Sequence, residues 1–365
     1  MPVISLRVEA DVIDMKEYFK RQIILKDFGI LSQEKLLASR VIVIGAGGLG
    51  HPALVALALA GVGHLTIVDH DRVEVSNLHR QFLFTPNDCG KFKADVSKTR
   101  LQAMAPFLHV ESIPTLLAPE NILGLLKKAD LVLDCTDNFQ AKFLIHDACS
   151  HLKKKLVQAS VYQYEGQMLS FDAEKSSPCL RCLYPDKLSD GCVGNCAEVG
   201  VLGATAMAFG SLQGLVSVEA LLGRPNLKAG EILTFDLKSL ETMKHSFTQK
   251  ENCSYCSGKK NWDEILLEYR SSYELNLHEA LLKKEQFIWI DIRSPREIRP
   301  EDYRFLESTP ALALCQNPGL CDSLDITKKY LFFCARGVRS QRLVDDLHRK
   351  GADNVYSLKG GLSSC

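Results

Sequence analysis

The run Val41-Ile-Val-Ile44 followed by Gly45-Ala-Gly47-Gly48-Leu-Gly50 constrains the fold of this chain more than any other feature. A short apolar β-branched run that stops at glycine reads as a fully buried parallel strand. The small apolar residues to about Ala60 read as a helix entered through a tight turn, and Leu65 to Val68 reads as a second strand ending in Asp69. An acid about 20 residues past a glycine turn completes the βαβ unit that seats a nucleotide. Its chemistry lies in the turn, where backbone N–H groups and a helix N-terminus face an anion and glycine permits close approach. Taken alone the motif admits NAD, FAD or ATP, and also a tight turn without a ligand.

The pattern continues in the same manner. Residues 119 to 128 read as helix, 131 to 134 as strand, 138 to 150 as helix and 156 to 161 as strand, with further strands at Gln167 to Phe171 and Ile232 to Leu237. Such alternation predicts an α/β fold with a Rossmann-like, doubly wound, mostly parallel sheet. A chain of 365 residues exceeds one ordinary domain. The polar stretch 258–261 reads as a linker between residues 1–257 and a second, smaller α/β domain over 262–365. In that domain a helix is expected near 276–284, strands at Phe287 to Ile290 and Tyr330 to Phe333, and a helix from about Ser340 to Lys350.

Charge and hydropathy narrow the partners. The 44 Lys+Arg and 44 Asp+Glu residues cancel, which argues against a generally basic nucleic-acid binder. The N-terminus mixes Glu9, Asp11, Asp14 and Glu17 into its apolar residues, so no signal peptide is read there and a cytoplasmic location is expected. Residues 41–68 and 199–218 lack Asp, Glu, Lys and Arg. Glycines and Pro52 break the first, and the second reads as a buried glycine-containing helix, so no membrane partner is expected.

The polar residues after the second strand separate ATP from nicotinamide. Asn77, Arg80, Gln81 and Lys93 are the donors and counter-charges that a triphosphate needs and a dehydrogenase does not. Asp134 and Asp137 stand at the carboxyl end of a strand, where open α/β sheets place ligands. Asp137 reads as a magnesium ligand on the phosphates or as the cap of the next helix, and the metal role is favoured. The alternative class is an NAD-dependent oxidoreductase, which the glycine motif and Asp69 permit although no hydride-transfer acid or base stands out. A zinc-stabilised scaffold without activity is a third, and the Arg80, Lys93 and Asp137 constellation argues against it.

Thirteen cysteines are too sparse for a disulfide scaffold. Cys179-Leu-Arg-Cys182 and Cys253-Ser-Tyr-Cys256 are two C-x-x-C pairs that together supply the four thiolates of a structural zinc site. A redox-active pair would open a helix, and neither pair is read that way. Cys192 and Cys196 lie in a glycine-containing loop ahead of a helix, either as a nucleophile or as incidental thiols. Cys334-Ala-Arg-Gly337-Val-Arg339-Ser340 succeeds a strand, and its N–H groups and arginines suit a thiolate or persulfide anion. A phosphatase arginine loop would look alike. Cys89, Cys135, Cys149, Cys315, Cys321 and Cys365 carry no partner pattern.

Assembled, residues about 17 to 257 resemble the ThiF and molybdopterin-synthase adenylyltransferase family, relatives of the ubiquitin-activating enzymes. The resemblance runs through Arg21-Gln-Ile-Ile, GAGGLG, IVDHD, Ser76-Asn-Leu-His-Arg80-Gln81, Lys93, LDCTDN, both C-x-x-C pairs and CAEVGVLG. It implies an enzyme that binds ATP and Mg²⁺ and adenylates the C-terminal Gly-Gly carboxylate of a ubiquitin-like sulfur carrier. By the same resemblance Gly48 and Asp69 hold the nucleotide, and Asn77, Arg80, Gln81 and Lys93 surround its phosphates. Asp137 organises Mg²⁺, Cys196 is the conditional catalytic cysteine, and Arg21 reaches the neighbouring subunit's site, which implies a homodimer. Residues about 262 to 365 resemble a rhodanese domain through Asp291-Ile-Arg-Ser-Pro-Arg-Glu297 and CARGVRS. That resemblance implies a persulfide on Cys334, loaded by an upstream sulfur donor, or else a docking domain without catalysis. Thiamine, molybdopterin and tRNA-thiolation pathways all use enzymes of this kind.

Overall fold

The computed structural model describes residues 5–8, 11–173, 177–184, 200–251, 253–269, 273–306, 310–316, 319–322, 324–349 and 351–364. The chain divides into two compact units, residues 1–266 and 267–365. A hairpin of β1 (Ser5–Val8) and β2 (Asp11–Asp14) opens the first unit. Its main sheet contains β3 (Arg40–Ile44), β4 (His64–Val68), β5 (His109–Ile113), β6 (Leu131–Asp134), β7 (Lys155–Tyr162), β8 (Glu165–Asp172), β9 (Glu231–Asp236) and β10 (Glu241–Ser246). The spatial order is β10-β9-β8-β7-β6-β3-β4-β5. Strands β3 to β7 pair in parallel, and β8, β9 and β10 continue the sheet antiparallel.

Register decides where a ligand can sit. Ile44 at the end of β3 pairs with Val68 of β4 on one side and with Asp134 of β6 on the other. The glycine turn, Asp69 and the segment Cys135–Asp137 therefore leave the sheet at one end, side by side. The chain winds from β3 out through β4 and β5 and then returns to β6 on the opposite flank. The crevice between β3 and β6 is thus the point where winding reverses, the place at which open α/β sheets bind ligands.

The turn itself is shaped by close packing. Gly45 has φ +98°, a left-handed conformation that costs glycine little. Behind it, helix Gly50–Leu59 packs on the long helix Gly203–Leu222. A side chain at Gly210 would collide with the Leu49 carbonyl, and a Cβ at Gly214 would lie 2.6 Å from the Ala56 Cβ. These glycines therefore set how closely the two helices approach. The long helix has the length and apolarity to cross a membrane, but its Phe209, Gln213, Val216 and Ser217 are buried against the sheet and the shorter helix.

The second unit is a five-stranded parallel sheet of β11 (Glu274–Leu275), β12 (Phe287–Asp291), β13 (Ala311–Ala313), β14 (Lys329–Phe333) and β15 (Val355–Leu358). Its order is β11-β15-β14-β12-β13. Trp289, Leu331 and Phe333 fill one face of the sheet, while Ile290, Phe332 and Val344 fill the other. Cys334 leaves the carboxyl end of β14, and helix Val338–Arg349 begins four residues on.

Candidate functional site

At the glycine turn stand two hydrogen-bonded sets of polar groups, one around Asp69, Asp71 and Lys93 and one around Asn77, Arg80 and Gln81. Asp69 accepts the Ala46 N–H at 2.7 Å and the Asp71 N–H at 2.7 Å. Burial pushes its carboxyl above the ordinary carboxylate range, against the pull of Lys93 and those two N–H groups. Lys93 is almost wholly buried and its Nζ pairs with Asp71 at 3.0 Å. Asn77 Oδ1 accepts from Arg80 at 2.9 Å and from Gln81 at 3.3 Å. A Cβ at Gly48 would lie 3.2 Å from the Ala206 Cβ and 3.5 Å from the Arg80 stem, so the turn packs closely against both.

The two aspartates of LDCTDN have different surroundings. Asp134 is fully buried and accepts from Thr136, Lys142 and Gln158, while Gln213 donates to its backbone carbonyl at 2.9 Å. It is a structural hub beneath the turn, since a buried carboxylate is tolerable only when paired and hydrogen-bonded. Asp137 is exposed at the crevice. The cap of helix Phe139–His151 comes from Asn138, whose Oδ1 accepts the Ala141 N–H at 2.8 Å, so Asp137 is spared that task. Arg21 sits on the short helix Lys20–Ile23 beside exposed Ile24 and Leu25. Among the described residues it makes no hydrogen bond with the sets at the turn.

The four sulfurs of the C-x-x-C pairs converge. Cys179 lies 3.6 Å from Cys182 and 3.6 Å from Cys253, and Cys182 lies 3.6 Å from Cys256. All four lie within 4.8 Å of one another. A tetrahedron with Zn–S bonds of about 2.3 Å has S···S edges of about 3.8 Å, so the cluster fits one zinc ion. The first pair differs from expectation in one respect: Cys179 is the N-cap of a one-turn helix, Leu180–Leu183. What separates it from a redox pair is the second pair across 71 positions of chain, which closes the coordination shell. Burial and the three neighbouring sulfurs push the Cys179 thiol up, and burial with Cys253 and Cys182 pushes Cys256 up to about 11. A bound cation relieves that opposition.

Sequence reasoning missed what holds this centre. The Leu180 N–H donates to His146 Nε2 at 3.0 Å, which leaves the ring proton on Nδ1 beside Asp147 at 3.0 Å. Arg181 bonds Asp147 at 2.8 Å and stacks over Phe143 and Tyr255. Burial opposes the Asp147 charge, but His146 and Arg181 outweigh it and hold the carboxyl below its ordinary range. A His-Asp pair on one helix was the available signal, visible as His146-Asp147 but without a partner in sequence.

In the second unit, Cys334 is buried and its Sγ lies 3.7 Å from the Ser340 hydroxyl. Burial works against the thiolate. The backbone N–H and hydroxyl of Ser340, with the N–H groups of Arg336 and Arg339, outweigh it and hold the thiol below its ordinary range. The Arg339 side chain is bound to Glu297 at 2.6 and 3.0 Å. Asp291 and Arg293 form a buried pair with Asp302 and Tyr303, a brace for the sheet end and not part of the thiol loop. Cys192 and Cys196 lie outside the described residues.

A crevice where the winding reverses, lined by basic and carboxylate side chains, in one unit with a four-cysteine cluster that fits zinc, defines a class of nucleotide-using α/β enzyme. Residues 19–257 match the model of the ThiF family, and the chain belongs to that family. The sulfur carrier protein adenylyltransferase of Thermus thermophilus is 40% identical over 252 residues, 68% of this chain and 93% of the relative. The adenylyltransferase and sulfurtransferase MOCS3 of Drosophila virilis is 32% identical over 369 residues, 94% of this chain and 82% of the relative. These relatives place the chain among the adenylyltransferases and, over nearly its full length, beside proteins that also carry a sulfurtransferase name. Among solved structures, E. coli MccB shares the fold with a TM-score of 0.59 at 19% identity, over 66% of this chain and 72% of that one.

Proposed function

We propose that this chain uses ATP to adenylate the C-terminal Gly-Gly carboxylate of a ubiquitin-like sulfur carrier protein, and that its second unit then delivers sulfur to the activated carbonyl. The observation that supports the reading is the meeting of Asp69, Asn77, Arg80, Gln81 and Lys93 at the glycine turn, where a triphosphate and ribose find both donors and an acceptor. A carboxylate oxygen attacks the α-phosphorus and pyrophosphate leaves, giving an acyl adenylate. Arg80, Gln81 and Asn77 exchange bonds among themselves for bonds to phosphate oxygens, Lys93 shares its charge between Asp71 and the phosphates, and Asp69 accepts the ribose hydroxyls. These groups stabilise the charge that builds during transfer. Asp137 would hold magnesium, which would supply charge neutralisation on the phosphates.

For sulfur transfer, a persulfide anion on Cys334 attacks the acyl carbonyl and AMP leaves, forming an acyl disulfide. A second thiol, for which Cys196 is the candidate, attacks the Cys334 sulfur and frees the thiocarboxylate, leaving a disulfide between the two cysteines. The active form is a homodimer. Its support is the pair of exposed apolar residues Ile24 and Leu25 that follows Arg21 in the chain, a surface that a second copy would cover. The cytosol is the compartment in which such thiols stay reduced.

With ATP and a Gly-Gly carrier the protein is expected to catalyse ATP–pyrophosphate exchange, and Asp137→Ala to lower it about a hundredfold. Absence of exchange with wild type, or nicotinamide binding in place of ATP binding, would sink the reading. Exchange retained in Asp137→Ala would remove the metal role. Loading with a sulfane donor followed by cyanide is expected to release thiocyanate from wild type and none from Cys334→Ala; no release from wild type leaves the second unit a docking module.

A further inference from the structure

His51, the second residue of helix Gly50–Leu59, has no part in the adenylation or sulfur-transfer chemistry. Its ring is fully buried, edge-on to Phe84 at 4.3 Å and to Phe82 at 5.6 Å. Nδ1 accepts the Leu83 N–H at 3.1 Å, so the imidazole is neutral with its proton on Nε2. Burial and the charge of Lys93 lower its pKa to about 3, with only the Ala46 backbone pulling the other way. The acceptor therefore persists at every pH at which the enzyme would work. Nε2 itself completes no hydrogen bond.

His51 is tied to both halves of the nucleotide site: its own N–H donates to the Gly47 carbonyl of the glycine turn at 3.1 Å, and its ring accepts from Leu83. Ala46 lies in the glycine turn, and its N–H holds Asp69 at 2.7 Å. Leu83 closes the segment that begins at Asn77 and carries Arg80 and Gln81, whose side chains converge on Asn77 Oδ1. Leu83 and Gln81 are themselves almost wholly buried. Beyond the bond from the Leu83 N–H to the His51 ring, no hydrogen bond joins the turn to this segment among the described residues.

We propose that His51 is a positioning residue that clamps the Arg80–Gln81 segment to the glycine turn and thereby sets the affinity for ATP. The inference rests on the adenylation reading for its ligand. His51→Phe keeps an aromatic ring and strands the Leu83 N–H, whereas His51→Asn places an amide oxygen where Nδ1 lies. Calorimetry with ATP and magnesium is expected to show the Kd raised about tenfold in His51→Phe, the scale of one stranded buried donor, and restored to within about threefold in His51→Asn. In pyrophosphate exchange the ATP KM should rise with it while kcat changes less. Amide hydrogen exchange at Leu83 should quicken in His51→Phe alone. An unchanged ATP Kd in a folded His51→Phe overturns the proposal. If that variant does not fold, His51→Asn decides: wild-type Kd and Leu83 protection support the clamp, and a raised Kd at wild-type Tm overturns it. Wild type that binds ATP without pyrophosphate exchange would end the adenylation reading and leave the His51 comparison standing on the Kd values.

Discussion

At the scale of the residue, Cys334 shows how a thiol's chemistry is set by the few positions after it. Ordinary thiols ionise near pH 8.5, and here the loop's N–H groups and the Ser340 hydroxyl lower that value despite burial. The thiolate therefore persists to lower pH than in a free cysteine, and is lost only as pH falls through the lowered value. Alkylation of Cys334 by iodoacetamide should rise with pH to an inflection below that of an ordinary exposed thiol, and Ser340→Ala should move the inflection upward. An unmoved inflection would show that the hydroxyl 3.7 Å away contributes nothing. The loop was readable as CARGVRS, but the Glu297 that engages Arg339 lies 42 positions upstream, and only the fold reveals the pair.

At the scale of the element, helix Gly203–Leu222 carries information in what it lacks. Gly210 and Gly214 let it lie directly on helix Gly50–Leu59, which follows the glycine turn. Gly214→Leu forces a branched side chain onto Ala56 and is expected to cost about 1–3 kcal/mol, read as a lower Tm together with weaker ATP binding. A variant with wild-type Tm and ATP affinity would mean that the helices part without consequence. The central strands were legible because they are uninterrupted apolar runs: β3 and β6 lie where 41–44 and 131–134 placed them. Strands β5 and β10 were not, since His109-Val-Glu-Ser-Ile and Glu241-Thr-Met-Lys-His-Ser carry no such run. Both are edge strands, and an edge exposed to water does not demand apolar residues.

At the scale of the whole molecule, the four-cysteine cluster joins the segment before the long helix to the segment after it, and a zinc ion there would tie them. Binding free energy at such a site is folding free energy, so removal of zinc should act on one unit. A chelator strong enough for thiolate-bound zinc should release one zinc per chain and lower the melting transition of the adenylating unit, leaving that of residues 267–365 in place. Equal melting with and without the metal would reduce the cluster to four neighbouring thiols. His146→Ala, which frees the Cys179 turn from helix Phe139–His151, should weaken zinc retention about tenfold or more in the same assay.

Sequence by itself determined the local chemistry: the glycine turn after a buried strand, the acid at the end of the next strand, two C-x-x-C pairs and a cysteine loop. Each arises from residues close together in the chain, where backbone geometry and residue type suffice. Tertiary structure decided which of these meet and what supports them. The four sulfurs close on one point only because the fold brings Cys179 and Cys253, 74 positions apart, to 3.6 Å. Asp134 is a buried hub and Asp137 an exposed ligand candidate, three positions apart in one motif, because the strand ends between them. His51 gains a role from Leu83, 32 positions away, since desolvation and packing act through space and leave no mark on the neighbouring sequence.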